Sequence, residues 1–88
     1  MYYVYVLSSV VCNRLYIGSS ADPDVRLASH NAGRVRSTRS HRPWRRVLLE
    51  EHPDRDTACR REKYLKSGWG RKWLSAHVSQ LRDSSADG

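Results

Sequence analysis

The apolar positions in the first half of the chain follow strand-like patterns. Tyr2 to Leu7 is an unbroken run of β-branched, aromatic and aliphatic side chains, which favours a strand buried on both faces. Asn13-Arg14 forms a turn, and Leu15 to Gly18 predicts a second strand, joined to the first as an antiparallel hairpin. A short apolar run, Val47 to Leu49, predicts a third strand.

Capping residues mark where two of three predicted helices begin and end. Asp22-Pro23 is typical of a helix start, and Gly33 supplies the left-handed position that ends this first helix. Asp54 to Asp56 can cap a second helix that runs to about Lys66 and stops at Ser67-Gly68. Trp69 to about Val78 predicts a third, shorter helix. The order ββαβαα predicts an α+β fold, a small three-stranded antiparallel sheet flanked by helices.

Length, charge and cysteine usage narrow the class of protein. The 88 residues suit one domain, placed at residues 1–81, and the small polar residues 82–88 predict a disordered tail. The net charge of +7 favours a polyanionic partner, nucleic acid before an anionic membrane. No apolar run approaches the ~18 residues of a membrane span, and no membrane partner is expected. Cys12 and Cys59 lack a CxxC spacing, so a reduced, cytoplasmic setting is expected.

Residues 34–46 form a predicted basic loop with six arginines in thirteen positions, interleaved with hydroxyl side chains. Guanidinium groups and hydroxyls both bind phosphate oxygens. A solvated basic surface is the plainer interpretation, but this density on so basic a chain favours nucleic-acid binding. The residues predicted to contact nucleic acid are Arg34, Arg36, Thr38, Arg39, Arg42 and, on the second helix, Lys66.

Three polar residues stand out on the predicted helices. Arg26 and His30 are four positions apart, so they share one face of the first helix. Glu62 lies between Ala58 and Leu65 at the spacing of a buried stripe, where an ionised carboxylate needs a partner or a metal ion. Spacing alone favours the plainer interpretations: a salt bridge for Glu62, and ordinary sheet packing for the strand tyrosines.

Taken together and in order, these residues resemble the GIY-YIG nuclease superfamily. Tyr3-Val4-Tyr5 stands where the Gly-Ile-Tyr element belongs, with Tyr3 in place of the glycine. Tyr16-Ile17-Gly18 matches the second element, with Tyr16 eleven positions after Tyr5. Arg26 follows ten positions later and His30 one helical turn after that. Glu62 matches the single metal-binding glutamate of the family.

Three further segments resemble the small stand-alone bacterial branch of this superfamily, which is similar to the nuclease module of the excision-repair protein that incises damaged DNA. They are Ser37 to Arg39, Arg42-Pro43 and Arg61 to Gly68. Each motif is short, whereas the ordered set covers nearly everything except the tail. A role in DNA repair follows from the resemblance as an expectation, with the chain acting as a monomer or weak homodimer.

The resemblance implies a metal-dependent endonuclease that hydrolyses DNA, with RNA not excluded. It implies that Glu62 holds one Mg²⁺ or Mn²⁺ ion and that Arg26 donates to the phosphate oxygens. Tyr16 would activate the attacking water, supported by Tyr5. In the alternative, His30 would be the base, or it would only orient a tyrosine. The alternative is a nucleic-acid-binding module on the same fold with little activity. That alternative accounts for the arginines but not for the catalytic set at family spacing.

Overall fold

Three strands form an antiparallel sheet in the order β2-β1-β3. They are β1 (Tyr2–Ser9), β2 (Leu15–Ser20) and β3 (Trp44–His52). In the computed structural model, which describes residues 1–78 in full and the backbone of residues 79–87, Tyr5 pairs with Gly18 on one side and Leu49 on the other. The central position of β1 explains its apolar run, because helices cover both of its faces.

Three helices and a 3-10 turn complete the chain. They are α1 (Pro23–Asn31), α2 (Arg55–Lys66), α3 (Gly68–Asp87) and the 3-10 turn Arg39–His41 between α1 and β3. The caps are the predicted ones: Asp22 accepts the N–H of Val25 at 3.2 Å, and Asp54 accepts that of Thr57 at 2.8 Å. Gly33 follows α1 with a left-handed φ of 80°. The predicted α+β fold and its ββαβαα order are confirmed.

The third strand is longer than its apolar core suggests. β3 begins at Trp44, so Arg45 and Arg46 lie on the strand, and their predicted place in the basic loop is wrong. The side chain of Asn31 fixes this start: it donates to the Trp44 carbonyl at 3.0 Å and accepts the Trp44 N–H at 2.6 Å. A register shift in the pairing of β1 with β3 between Val6 and Leu7 leaves Val47 unpaired with β1.

The end of the chain was only partly predictable. The assignment of α3 continues past the predicted end near Val78 to Asp87. The predicted disordered tail, residues 82–88, falls outside the fully described part of the chain and stays a prediction. Over the described residues, no helix has the length and apolar content needed to cross a membrane. Cys12 and Cys59 are both free thiols.

The two faces of the sheet carry separate clusters of buried side chains. Since side chains alternate along a strand, Val4 and Val6 point to one face and Tyr5 and Leu7 to the other. The first face packs against α2 and α3 through Ala58, Leu65, Leu74 and Val78. On the second face, Tyr5 and Leu7 pack with Trp44, Tyr16 and Leu27 of α1. Thus α1 and α2 lie on opposite faces, an arrangement that decides how the site is assembled.

Candidate active site

Four of the predicted catalytic side chains meet on the α1 face of the sheet. Tyr5 of β1 is 1% exposed, whereas Tyr16 of β2 is half-buried. The Tyr16 ring lies 4.7 Å from the His30 ring and 6.2 Å from the Tyr5 ring, between ring centres. Arg26, one turn before His30 on α1, places its guanidinium against both phenols. The spacing of these residues along three elements therefore produces one compact polar cluster. It consists of Tyr5, Tyr16, Arg26 and His30 and is named here the tyrosine cluster.

Gly18 makes room for the Tyr5 phenol. It pairs with Tyr5 across β1 and β2, and the ring lies over it. A Cβ added at Gly18 would stand 2.6 Å from the Tyr5 hydroxyl oxygen and 3.0 Å from the Tyr16 ring. The first distance is shorter than any real contact, and the second is at the lower limit of real contacts. Glycine is needed here because the two tyrosines occupy the volume of a side chain.

His30 holds the Tyr5 hydroxyl from below. The ring is fully buried, with Nε2 3.3 Å from the Tyr5 hydroxyl and Nδ1 2.8 Å from the Thr38 hydroxyl. The Thr38 hydroxyl donates to the Val35 carbonyl at 3.4 Å, so it accepts from Nδ1–H, and Nε2 is left to accept from Tyr5. Burial, aided by the charge of Arg26, lowers the pKa of His30 and keeps the ring neutral. With both nitrogens engaged, His30 orients Tyr5.

The Tyr5 phenol remains protonated at neutral pH. Burial raises its pKa, and the neighbouring Tyr16 and Glu62 add to that effect. The hydrogen bond and charge of Arg26 act in the opposite direction but do not offset the burial. Tyr5 is consequently suited to donating a hydrogen bond and unsuited to removing a proton from water.

Glu62 belongs to a second cluster, on the α2 face, which consists of Glu62, Ser19 and Lys66 and is named here the carboxylate cluster. Its Oε1 accepts the Ser19 hydroxyl at 2.7 Å, and its Oε2 accepts the Lys66 ammonium at 2.6 Å. Burial alone would raise the pKa of Glu62, but the hydrogen bonds from Lys66 and Ser19 and the Lys66 charge outweigh it and lower the pKa. The carboxylate is therefore ionised at neutral pH, as an ion-binding group must be.

The two clusters approach each other at one step of the edge strand β2. Gly18 lies beneath the Tyr5 phenol on the α1 face, and the next residue, Ser19, binds Glu62 on the α2 face. The Glu62 charge is near enough to Tyr5 to raise the pKa of that phenol. The outer edge of β2 is the edge of the sheet at this step, since this strand pairs only with β1 in the described chain.

Similarity to known proteins agrees with this arrangement. The family model of the GIY-YIG catalytic domain matches residues 1–74. The chain belongs to the GIY-YIG family. It is also similar to the solution NMR structure of the UPF0213 protein BH0048 from Bacillus halodurans. That protein is 30% identical, with a TM-score of 0.51 over 86% of this chain and 84% of the other. No curated protein matches the sequence.

Membership in the GIY-YIG family implies a nuclease-type catalytic domain with a nucleic-acid substrate, and such nucleases generally use a divalent metal. Glu62 is one carboxylate with an adjacent hydroxyl, and the described residues contain no cluster of three or more His, Cys, Asp or Glu. This donor set fits a hydrated Mg²⁺-type ion, which keeps several waters and needs one or two carboxylates. A closed zinc site needs four protein ligands and does not fit.

The arginines of this GIY-YIG domain that were predicted to bind nucleic acid are mostly at the surface. Arg34, Arg36, Arg39 and Arg42 are all exposed. The Arg42 Nε donates to the Arg39 carbonyl at 2.8 Å, which orders the loop just before β3. On β3, Arg46 forms an ion pair with Asp24 of α1 at 2.8 Å. The structure brings the four loop arginines to the surface of one segment that follows α1.

Two residues have roles that the sequence did not reveal. Thr38 is 1% exposed and hydrogen-bonded to His30, so its predicted contact with nucleic acid is wrong. It supports the tyrosine cluster instead. Ser19, which binds Glu62, was not predicted as a site residue. Its place next to Gly18, facing the other side of β2, is the one local signal that points to it. Lys66, predicted to contact nucleic acid, is paired with Glu62.

Proposed function

We propose that this GIY-YIG domain is a metal-dependent endonuclease that hydrolyses DNA phosphodiester bonds. The observation that carries the proposal is the approach of the tyrosine cluster and the ionised Glu62 at the edge of β2. Such a site can grip a phosphate between a guanidinium and an ion-binding carboxylate. Phosphodiester hydrolysis needs both kinds of charge stabilisation, together with a group that activates water.

Each side chain of the tyrosine cluster has one proposed part in the reaction. Tyr16 is the half-buried phenol of the pair. It first loses its own proton to solvent, and as the phenolate it takes the proton of the attacking water. Arg26 donates to the non-bridging oxygens of the phosphate, where negative charge develops. Tyr5, protonated and held by His30, orients Tyr16 and the water. Since both nitrogens of His30 are engaged, we assign it the orienting role and leave the base role to Tyr16.

The carboxylate cluster supplies the ion site. Glu62 would hold one Mg²⁺ or Mn²⁺ ion, and the hydrogen bond from Ser19 orients the carboxylate for it. When bound, the ion neutralises charge on the phosphate and the leaving oxygen. The ammonium of Lys66 contacts the same carboxylate and would compete with a bound ion for Oε2. Released from Glu62, it would be available to a substrate phosphate, in line with its predicted contact with nucleic acid.

The exposed loop arginines hold the substrate backbone. Arg34, Arg36, Arg39 and Arg42 are contacts for phosphates, which fix position without reading sequence. Binding through several such contacts weakens steeply with salt, because counterions are released from the nucleic acid. We propose DNA as the substrate, a cytoplasmic location and a role in repair. The proposal does not exclude RNA as a substrate, and the domain would act as a monomer or a weak homodimer.

A second function has one observation in its favour. Both oxygens of Glu62 are hydrogen-bonded within the chain, one to Ser19 and one to Lys66. A domain in which this pairing persists would bind nucleic acid through its arginines but cleave it slowly. The alternative is therefore a catalytically weak nucleic-acid-binding module on the same fold.

A plasmid-nicking assay separates the two functions. Supercoiled DNA is incubated with the wild-type protein and with Glu62→Gln, with and without Mg²⁺ or Mn²⁺. We expect metal-dependent nicking that falls by roughly three orders of magnitude in Glu62→Gln, because a metal ion is worth several kcal/mol of charge stabilisation. DNA binding by the variant should stay close to wild type. The matched control is Glu51→Gln, which removes an exposed carboxylate of β3.

Two outcomes would contradict the endonuclease. Nicking that survives in Glu62→Gln at the wild-type rate places the ion elsewhere. Wild-type protein that binds DNA but never nicks it, with either ion and on branched as well as duplex substrates, identifies the binding module.

A further inference from the structure

The outward side of α3 carries large aromatic rings that the active site does not use. Trp69, Trp73 and His77 follow one another at four-residue spacing, so they share one face, named here the α3 aromatic face. Trp69 is 75% exposed and Trp73 is 39% exposed. The Trp73 and His77 rings are stacked, with centres 4.8 Å apart and planes 10° apart. The face is thus partly ordered by its own stacking.

Packing of the domain does not explain the exposed Trp69 ring. The buried side of α3 is carried by Leu74 and Val78, which are 1% and 2% exposed. Gly70 crosses α2 so closely that an added Cβ would collide with the backbone of Tyr64 and Leu65. These three residues fix α3 against the rest of the domain. Trp69 adds little to that contact. Trp69, Trp73 and Tyr64 are all exposed, and an exposed group of aromatic rings marks a binding surface.

Cationic side chains surround the aromatic face. The Arg61 guanidinium lies 5.0 Å from the centre of the Trp73 ring and 5.4 Å from that of Tyr64, which is 46% exposed. Its charge is already paired with Glu50 through two hydrogen bonds of 2.9 Å, so Arg61 serves to order the rings. The Lys72 ammonium lies 6.0 Å from the centre of the Trp69 ring. A protein that binds single-stranded nucleic acid combines these two features: rings on which bases stack, and cations that follow the backbone.

We propose that the α3 aromatic face binds unpaired bases of a single-stranded nucleic-acid segment by stacking on Trp69 and contacting Trp73, with Lys72 beside the backbone phosphates. The occupant is set by charge and shape. The chain carries a net charge of +7, which favours a polyanion over a second copy of itself. Bases in a duplex are already stacked on each other, so flat exposed indoles select strands whose bases are free.

The aromatic face begins beside the proposed cleavage site. Trp69 follows Lys66 by three positions, so their Cα atoms are at most about 11 Å apart. Lys66 itself contacts the Glu62 carboxylate. A strand bound at the face can therefore lead to the active site, which would make nucleic acids with a single-stranded stretch next to the cleaved bond the preferred substrates. This extension rests on the proposed endonuclease function, whereas base stacking at the face does not.

Binding titrations test the proposal directly. The wild-type protein and the variants Trp69→Ala and Trp73→Ala are titrated, without metal, with a single-stranded oligonucleotide, an abasic strand of equal length and charge, and a duplex. We expect the base-bearing strand to quench tryptophan fluorescence and to bind roughly tenfold more weakly to each alanine variant. Affinity for the abasic strand and the duplex should change little. Trp69→Phe and Trp73→Phe, which keep a ring, should restore most of the affinity.

Several results would overturn the proposal. One is equal affinity for the base-bearing and abasic strands; another is unchanged single-strand affinity in both alanine variants. Self-association of the wild type that is lost in Trp69→Ala would assign the face to a second copy. Trp69 is so exposed that its variants should fold, and thermal melting checks this. Since binding is measured without metal, failure of plasmid nicking leaves this test standing, and failure of this test leaves nicking unaffected.

Discussion

The two clusters that form the candidate active site are built in different ways. On the α1 face, the side chains of Tyr5 and His30 are 1% and 0% exposed and are hydrogen-bonded to each other. On the α2 face, Glu62 is held by the Ser19 hydroxyl and by the ammonium of Lys66, whose side chain is 49% exposed. The first cluster is fixed by packing, glycine clearance and buried hydrogen bonds. The second is held by polar contacts near solvent, one of which is an exchangeable ion pair.

This difference indicates how labour is divided within the site. A rigid polar cluster stabilises charge without reorganising when substrate arrives, which is the condition for strong electrostatic catalysis. A site for a hydrated ion has to accept a ligand that enters and leaves, so a replaceable internal cation suits it. Substitutions in the tyrosine cluster should therefore disturb geometry and rate. Substitutions around Glu62 should instead change ion affinity.

The largest effect in the rigid cluster is expected from Arg26→Ala. Removing one donor to the developing charge should lower the nicking rate by roughly two orders of magnitude. The half-buried guanidinium also contacts both phenols, so part of the loss will come from their displacement. Single-turnover nicking under saturating protein measures the rate, and anisotropy measures binding. A small change in rate combined with weaker binding would show that Arg26 only positions the DNA.

A comparable test of rigidity is Gly18→Ala. The new methyl group would stand 2.6 Å from the Tyr5 hydroxyl oxygen, so the ring has to move. A displacement of about 1 Å can cost up to roughly a hundredfold in rate, and we expect a loss of tenfold or more. The matched control is Gly68→Ala, where an added Cβ meets nothing within 4 Å. Equal activity of the two variants would mean that the position of Tyr5 does not matter for the reaction.

The pattern of apolar residues and caps was enough to predict most of the fold. Strand β1, the caps Asp22 and Asp54 and the glycine after α1 all depend on neighbours within a few positions. The start of β3 could not be predicted in this way. It is set by Asn31, which binds the Trp44 backbone from 13 positions away. Local patterns do not record such a contact.

The site shows the same division between local and long-range information. The residue types of the catalytic set follow from the family spacing, but not the face of the sheet that each one occupies. Glu62 is joined to Ser19 across 43 positions and lies on the face opposite to Tyr5. Thr38, in a loop rich in arginine, has the composition of a phosphate contact. It is buried because His30 needs a partner for its second nitrogen.

A moderate effect is expected from Thr38→Val, which removes the hydroxyl that His30 contacts. The buried Nδ1–H would lose its acceptor, at a cost of about 1–3 kcal/mol in the free energy of unfolding. The nicking rate should fall severalfold, because the His30 ring that orients Tyr5 loses its own anchor. Urea denaturation measures the first effect, and Ser37→Ala in the exposed part of the loop is the control. Full stability in Thr38→Val would refute the hydrogen-bonded chain from Val35 to Tyr5.

The smallest effect, and the one specific to the carboxylate cluster, is expected from Lys66→Ala. This substitution frees Oε2 of Glu62 and removes a positive charge from the place that an ion has to enter. Exposed ion pairs contribute about 0.3–1 kcal/mol, so affinity for Mn²⁺ should rise by roughly two- to fivefold. Calorimetry with Mn²⁺ in the absence of DNA measures this affinity. Lys63→Ala, which removes an exposed lysine of the same helix, is the control.

The direction of the change in Lys66→Ala distinguishes the two proposed functions. In an endonuclease, the Lys66–Glu62 pair competes with the ion, so its removal strengthens ion binding even if a phosphate contact is lost and DNA binds more weakly. In a binding module, Glu62 and Lys66 form a structural pair, and its removal weakens DNA binding without creating an ion site. Tighter Mn²⁺ binding together with weaker DNA binding is the result expected if the carboxylate cluster is an ion site. Unchanged Mn²⁺ affinity would show that Lys66 does not guard the carboxylate.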